Sequence, residues 1–168
     1  MSNIKVKMNV KSFGSITLEL YPEVAPNTVA NFVDYVQKKF YNGLIFHRII
    51  KGFMIQGGGS MKDKERPIAG EFKSNGFVNT LKHTRGVISM ARTSDPNSAT
   101  SQFFIMHKDS PHLDDAYAAF GKVIEGIEVV DKIASVRTNP YDQPYEDVVI
   151  EEVILLTDNF TLKPVQYV

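Results

Sequence analysis

One short run, Phe46-His47-Arg48-Ile49-Ile50-Lys51-Gly52-Phe53-Met54-Ile55-Gln56-Gly57-Gly58, sets a cation, an imidazole and an amide among large apolar side chains. Arg48, Phe53, Met54 and Gln56 taken as one surface are a poor layout for acid–base hydrolysis or phosphate capture. They suit a neutral, partly apolar ligand that needs one strong hydrogen-bond donor. In a strand, Phe46, Arg48 and Ile50 would share one face and His47 would point to the other. A blander reading stands beside this one. An arginine stem often covers apolar surface while its head stays in water; Phe53 and Met54 alone fit a core, and Gln56 alone fits an exposed amide.

A second constellation shifts the balance. Gly86-Val87-Ile88-Ser89-Met90-Ala91 leads into Arg92-Thr93-Ser94-Asp95-Pro96-Asn97-Ser98-Ala99-Thr100 and then Ser101-Gln102-Phe103-Phe104-Ile105. A strand, a small-residue loop and a second strand of this kind line a groove with amide donors and aromatic faces. His112-Leu113-Asp114 and Tyr117-Ala118-Ala119-Phe120-Gly121-Lys122-Val123 follow. Other chemistries find less support. Gly57-Gly58-Gly59 lacks the Gly-Lys-Ser/Thr and the helix of a phosphate loop and reads as a flexible turn. His47, His83, His107 and His112 are not at metal-ligand spacing, and there is no cysteine, so neither metal nor cofactor is expected. Ser89, Ser98 and Ser101 sit in no nucleophile-elbow pattern, and a hydrolase built on His47 lacks a nearby nucleophile.

Short strands must position these groups. Ile4, Val6, Met8 and Val10 alternate with polar residues, and after Ser12-Phe13-Gly14 so do Ile16, Leu18 and Leu20, the pattern of an antiparallel hairpin. Pro26 opens a helix over 26–39 whose Val29, Phe32, Val33, Val36 and Phe40 share a face. Strands are expected at Ile45–Ile49, Phe53–Gln56, Val87–Ala91, Gln102–Met106, Tyr117–Val123 and Val148–Leu156, with a short second helix through Ile127, Val130, Ile133 and Ala134. Met61 to Gly70 reads as a charged surface loop. In a parallel α/β sheet nearly every strand would be followed by a helix. Two helices therefore argue for a mainly β protein: a closed eight-stranded antiparallel barrel capped by two α-helices. One domain, residues 1–158, and a loosely held tail, 159–168, account for the chain.

Nineteen basic and nineteen acidic residues cancel, so no global field draws the protein to nucleic acid or an anionic membrane. No stretch approaches the roughly 18 apolar residues of a membrane span, and the N-terminus opens on a strand pattern rather than a signal-peptide run. A cytoplasmic protein is the expectation.

Taken in order, these segments resemble a cyclophilin, a peptidyl-prolyl cis-trans isomerase, from about Lys5 to Leu156. Phe46 to Gly58, Gly86 to Ala91, Ser101 to Ile105 and Phe120 to Val123 carry the resemblance, with Ala25-Pro26-Asn27-Thr28-Val29-Ala30-Asn31-Phe32 resembling the family's first helix. The resemblance implies that Arg48 is catalytic and that Phe53, Met54, Phe104 and Leu113 wall a proline pocket. It further implies that Gln56 supports the arginine and substrate, and that Ala91, Arg92 and Gln102 line the neighbouring groove for the residues before proline. Three positions depart from the familiar pattern. His112 stands where the better-known eukaryotic members carry tryptophan, which implies weakened binding of cyclosporin-type ligands. Tyr117 replaces a frequent histidine at the pocket rim, and Arg92 a common asparagine; these substitutions and the short loop after Gly57 look bacterial. The implied partners are proline-containing peptides and unfolded proteins, met by a monomer. A proline-binding or chaperone module without turnover is the alternative.

Overall fold

The computed structural model describes residues 2–60 and 65–168. Its strands are β1 (Ile4–Val10), β2 (Gly14–Leu20), β3 (Arg48–Ile50), β4 (Met54–Gly57), β5 (Val87–Met90), β6 (Phe103–Met106), β7 (Ala119–Glu125) and β8 (Ile150–Leu155). They form one eight-stranded antiparallel sheet in the order β3-β4-β6-β5-β7-β2-β1-β8. The curled sheet closes without a β3–β8 strand pair. Ile45 bridges Val149, Phe46 N–H donates to Val148 O, and Gly43 and Leu44 exchange bonds with Ile150. Regular pairing starts only at Arg48, so the seam falls to the irregular segment before it.

That late start corrects one sequence reading. Phe46 is fully buried with Ile49 in the central core, while Arg48 is exposed and Ile50 packs on the opposite side of the sheet. Phe46 and Arg48 do not share a face, because residues 46 and 47 precede the strand and strict alternation does not reach them.

Strands β5 and β6 are buried on both faces, which explains the unbroken apolar run of β6 and a β5 that Ser89 alone interrupts. On the inner side Ile55, Ile88, Met90, Phe103 and Ile105 join a core that includes Phe32, Phe120 and Tyr41. On the outer side Met54, Val87, Phe104, Met106, Leu113 and Ala119 make a second, smaller apolar cluster. Gly57-Gly58-Gly59 is packed rather than slack. A Cβ on Gly57 would stand 2.6 Å from Ile45 O, and one on Gly59 would press Gln102 at 3.0 Å. Gly58 has φ +84° and sits against Phe103 and Tyr41.

The first helix, α1 (Pro26–Gln37), and the second, α2 (Ile127–Ala134), each bury one face in the central core. Neither is long and apolar enough to cross a membrane. Ala25 cannot cap α1 with its side chain. Buried Glu71 does so from a distant loop: its carboxylate accepts from Thr28 N–H and Thr28 Oγ1–H at 2.6 Å and from Asn27 N–H at 3.2 Å. A negative charge at a helix N-terminus also complements the dipole.

Two loops differ from expectation. Residues 61–64 of the expected surface loop lie outside the described residues, but Ile68 within it is buried and pairs with Ala99. Residues 159–168 lack helix or strand, yet they are tied down. Asn27 and Gln166 exchange two hydrogen bonds, Val168 N–H donates to Pro67 O, and Arg66 lies 4.2 Å from the Tyr167 ring centre. Phe160, Leu162, Val165 and Tyr167 pack on the core at irregular spacing, so no periodicity announces them.

Glu71→Ala should lower unfolding stability by about 1–3 kcal/mol, the cost of leaving buried donors unsatisfied. The urea midpoint at constant slope checks this, with a smaller loss for Glu71→Gln. An unchanged midpoint would remove Glu71 as the cap.

Candidate active site

Register on the outer face assembles the site. Arg48 pairs with Gln56 across β3 and β4, Gln56 with Phe104 across β4 and β6, and Phe104 with Ser89 across β6 and β5. Paired residues point to the same side of a sheet, so four strands present one row. Met54 and Met106 form the next row. The β3–β4 turn is itself clamped: His107 Nδ1 accepts from Gly52 N–H at 2.9 Å, and its Nε2–H meets Asp131 at 3.0 Å. The fork of Arg85 holds the same carboxylate at 2.6 and 2.8 Å and keeps Asp131 below the usual carboxylate range.

A cavity of about 130 Å³ opens above this row, lined by Arg48, Phe53, Met54, Gln56, Ala91, Arg92, Phe104, Leu113 and Tyr117. Drug-sized ligand sites usually enclose about 300–1,000 Å³, so this one fits a small ring. A larger cleft beside Phe13 and Tyr145, of about 600 Å³, contains none of these residues.

Nine of the eleven residues singled out in the sequence meet in the small cavity, and the other two adjoin it. Gln102 accepts from Gln56 Nε2–H at 3.0 Å through its Oε1. His112, exposed at the outer lip, stacks on Phe53 with ring centres 5.7 Å apart. Arg48 Nη1 donates to Gln56 Oε1 at 3.3 Å. The two glutamines thus form a relay that aims the guanidinium without saturating its five donors. Arg92 is differently placed: Nη1 donates to Thr93 O at 2.9 Å and Nη2 to Ala116 O at 2.7 Å. His47 falls outside the cavity lining, and burial followed by the Arg48 charge pushes its pKa down.

The sequence reading missed a buried relay beneath the cavity floor. His83 is 2% exposed and Ser89 is fully buried. Asp114 Oδ1 accepts from His83 N–H at 2.6 Å and lies 3.1 Å from Nδ1, while Nε2 lies 2.8 Å from Ser89 Oγ. An ionised carboxylate only accepts, so Nδ1 carries the proton and Nε2 accepts from the serine. The His83 ring stacks on Phe104 with centres 6.0 Å apart. This order of groups resembles a hydrolase triad, but Ser89 has no exposed surface for a substrate to reach. Its work is to fix Phe104 from below and, through Asp114, the neighbouring Leu113. His83 and Asp114 are 31 residues apart, and no local pattern announces the pair. Among the described residues no cluster of His, Asp or Glu is arranged to hold a metal.

A family model for cyclophilin type peptidyl-prolyl cis-trans isomerase/CLD matches residues 5–155. The chain belongs to this family. Its relatives include a peptidyl-prolyl cis-trans isomerase of Acinetobacter baylyi, 51% identical over 147 residues, covering 84% of this chain and 77% of that protein. Isomerase B of Escherichia coli is 44% identical over 152 residues, covering 83% of this chain and 93% of that protein. A cyclophilin type isomerase of Cryptosporidium parvum, solved in the presence of the dipeptide Ala-Pro, matches with a TM-score of 0.82. That match has 31% identity and covers 92% of this chain and 99% of that one. The cyclophilin fold and the bacterial character read from the sequence both hold.

Burial, opposed by Asp114, holds the His83 pKa below the ordinary histidine value. The unfolded chain takes up this proton near pH 6.5, and the folded protein only at lower pH. The stability from neutral His83 is therefore intact above about pH 6.5 and is lost as pH falls through the folded pKa. Stability should decline on acidification, by at most about 1.4 kcal/mol per pH unit for this one proton. His83→Gln should flatten the decline by one proton in urea unfolding measured between about pH 7 and pH 5. His47, whose pKa is also held down, leaves part of the slope in place; a slope unchanged by the substitution would contradict the assignment.

Proposed function

We propose that the small cavity is the isomerase site, with Arg48 its catalytic residue and Phe53, Met54, Phe104 and Leu113 the walls that hold a proline ring. Gln56 and Gln102 aim the guanidinium, and Ala91, Arg92, His112 and Tyr117 border the path of the flanking residues. The enzyme accelerates cis-trans rotation about X-Pro bonds. The observation that carries the residue assignment is the Arg48–Gln56 contact: one long bond at the lip of an apolar pocket, with donors left over for a ligand.

Rotation about a peptide bond meets a barrier of about 18–20 kcal/mol because the C–N bond has partial double-bond character. In the twisted state conjugation is lost, and the proline nitrogen pyramidalises around a localised lone pair. A donor aimed at that nitrogen favours the twisted state over both planar ones, which is differential binding. Arginine does this without giving up a proton. Uncatalysed exchange takes about 10–100 s, so millisecond turnover requires a barrier lower by about 6 kcal/mol. One charge-assisted bond contributes about 1.5–3 kcal/mol. Desolvation and the preorganised wall must supply the rest. No covalent intermediate is involved.

The substrates on this reading are proline-containing segments of unfolded or flexible proteins, met by a cytoplasmic monomer. Weak cyclosporin-type binding belongs to the same reading, since the lip over Phe53 carries the small imidazole of His112.

Exchange spectroscopy on an X-Pro peptide tests the assignment. Wild type should speed exchange, and Arg48→Ala should lose about 10- to 100-fold while its circular dichroism stays native. Equal rates for the two proteins would remove Arg48 from the mechanism. Peptide binding without faster exchange would make the groove a binding module.

A further inference from the structure

Arg92 lines the cavity and has the chemistry of a charge reader, but its fork is turned onto the protein. Its guanidinium carbon lies 4.5 Å from the centre of the Tyr117 ring and 4.9 Å from that of Phe72. Both of its terminal nitrogens donate to backbone carbonyls, one on Thr93 and one on Ala116, the residue just before Tyr117. Its Nε is buried with no partner among the described residues. A cation meant to greet a substrate carboxylate would keep its fork toward solvent, as Arg48 does.

The contacts on either side of Arg92 continue. Tyr117 meets Phe104 edge-on, with centres 5.7 Å apart and planes at 85°. Phe104 stacks in turn on His83. Phe72, Arg92, Tyr117, Phe104 and His83 thus form one column across the cavity wall. Both ends are anchored: Phe72 is 1% exposed, and His83 is buried and bonded to Asp114 and Ser89. Tyr117 and Phe104, the two middle rings, line the cavity itself. Gly70 leaves the space that the Phe72 ring fills, since a Cβ there would meet that ring.

We infer that Arg92 is a positioning residue, whose planar fork locks Tyr117 against Phe104 and so sets the shape of the proline pocket instead of selecting substrates by charge. The inference rests on the isomerase reading of the cavity and extends it to a residue that acts through the wall. Lysine keeps the charge but lacks the flat, multiply donating head, so it cannot replace arginine in this role. A charge reader, by contrast, would tolerate lysine.

The test compares wild type, Arg92→Lys and Arg92→Gln on three peptides with Glu, Ala or Lys before proline. Exchange rates are read together with the ring proton resonances of Tyr117 and Phe104 in the ligand-free proteins. Both variants should lose about tenfold in kcat/KM, by the same factor on all three peptides, and their Tyr117 and Phe104 resonances should move toward averaged values. The inference is overturned if Arg92→Lys keeps the wild-type rate. It is also overturned if the ratio of Glu-Pro to Lys-Pro rates changes while the ring resonances stay in place. A wild type that fails to speed exchange would sink the isomerase reading alone, and unmoved ring resonances in both variants would sink the positioning role alone.

Discussion

An antiparallel sheet offers its side chains only two directions, and the site depends on that restriction. Arg48, Gln56, Phe104 and Ser89 come from four strands, yet register sets them in one row. A slip of one residue between β3 and β4 would turn Arg48 inward and Ile49 outward. The apolar inner face forbids that slip, because Ile49, Ile55 and Ile105 are buried together in the core. The packing that stabilises the barrel therefore also aims the guanidinium.

Around this row the molecule treats its polar groups in two ways. Some are consumed: Glu71 on the end of α1, Asp131 between Arg85 and His107, Asp114 and Ser89 on His83, and the fork of Arg92 on two carbonyls. All but Glu71 hold a segment that contacts the cavity or supports it. Arg48 is kept short of partners at the cavity lip. The mechanism proposed for Arg48, a charge pointed at a transient lone pair, needs this contrast, because a rigid surround lets one donor be preorganised rather than rearranged at each turnover.

Much of this was legible in the sequence because it rests on local rules. Alternation located the hairpin of β1 and β2, and proline with helical spacing located α1. The run Gln102-Phe103-Phe104 marked a strand lining a groove, though not its burial on both faces. The groove residues were legible chiefly because Arg48, Gln56 and Phe104 sit in motifs that resemble a family. What escaped was non-local. Glu71 caps a helix more than forty residues away, and His83 reaches Asp114 across 31 residues. No spacing rule predicts such meetings. Phe46 was misassigned because alternation was extended past the point where the strand begins. The tail was judged loose because its contacts, Gln166 on Asn27 and Tyr167 on Arg66, follow no period.

The central claim is that Arg48 favours the twisted imide over the planar one. The direct measurement compares binding of two ligands, a planar Ala-Pro peptide and a twisted-amide mimic of the same size, to wild type and Arg48→Ala. Arg48→Ala should lose about 10- to 100-fold in affinity for the mimic and keep nearly all its affinity for the planar peptide. Equal losses for both ligands would mean that Arg48 only binds substrate, and the account of catalysis would be wrong.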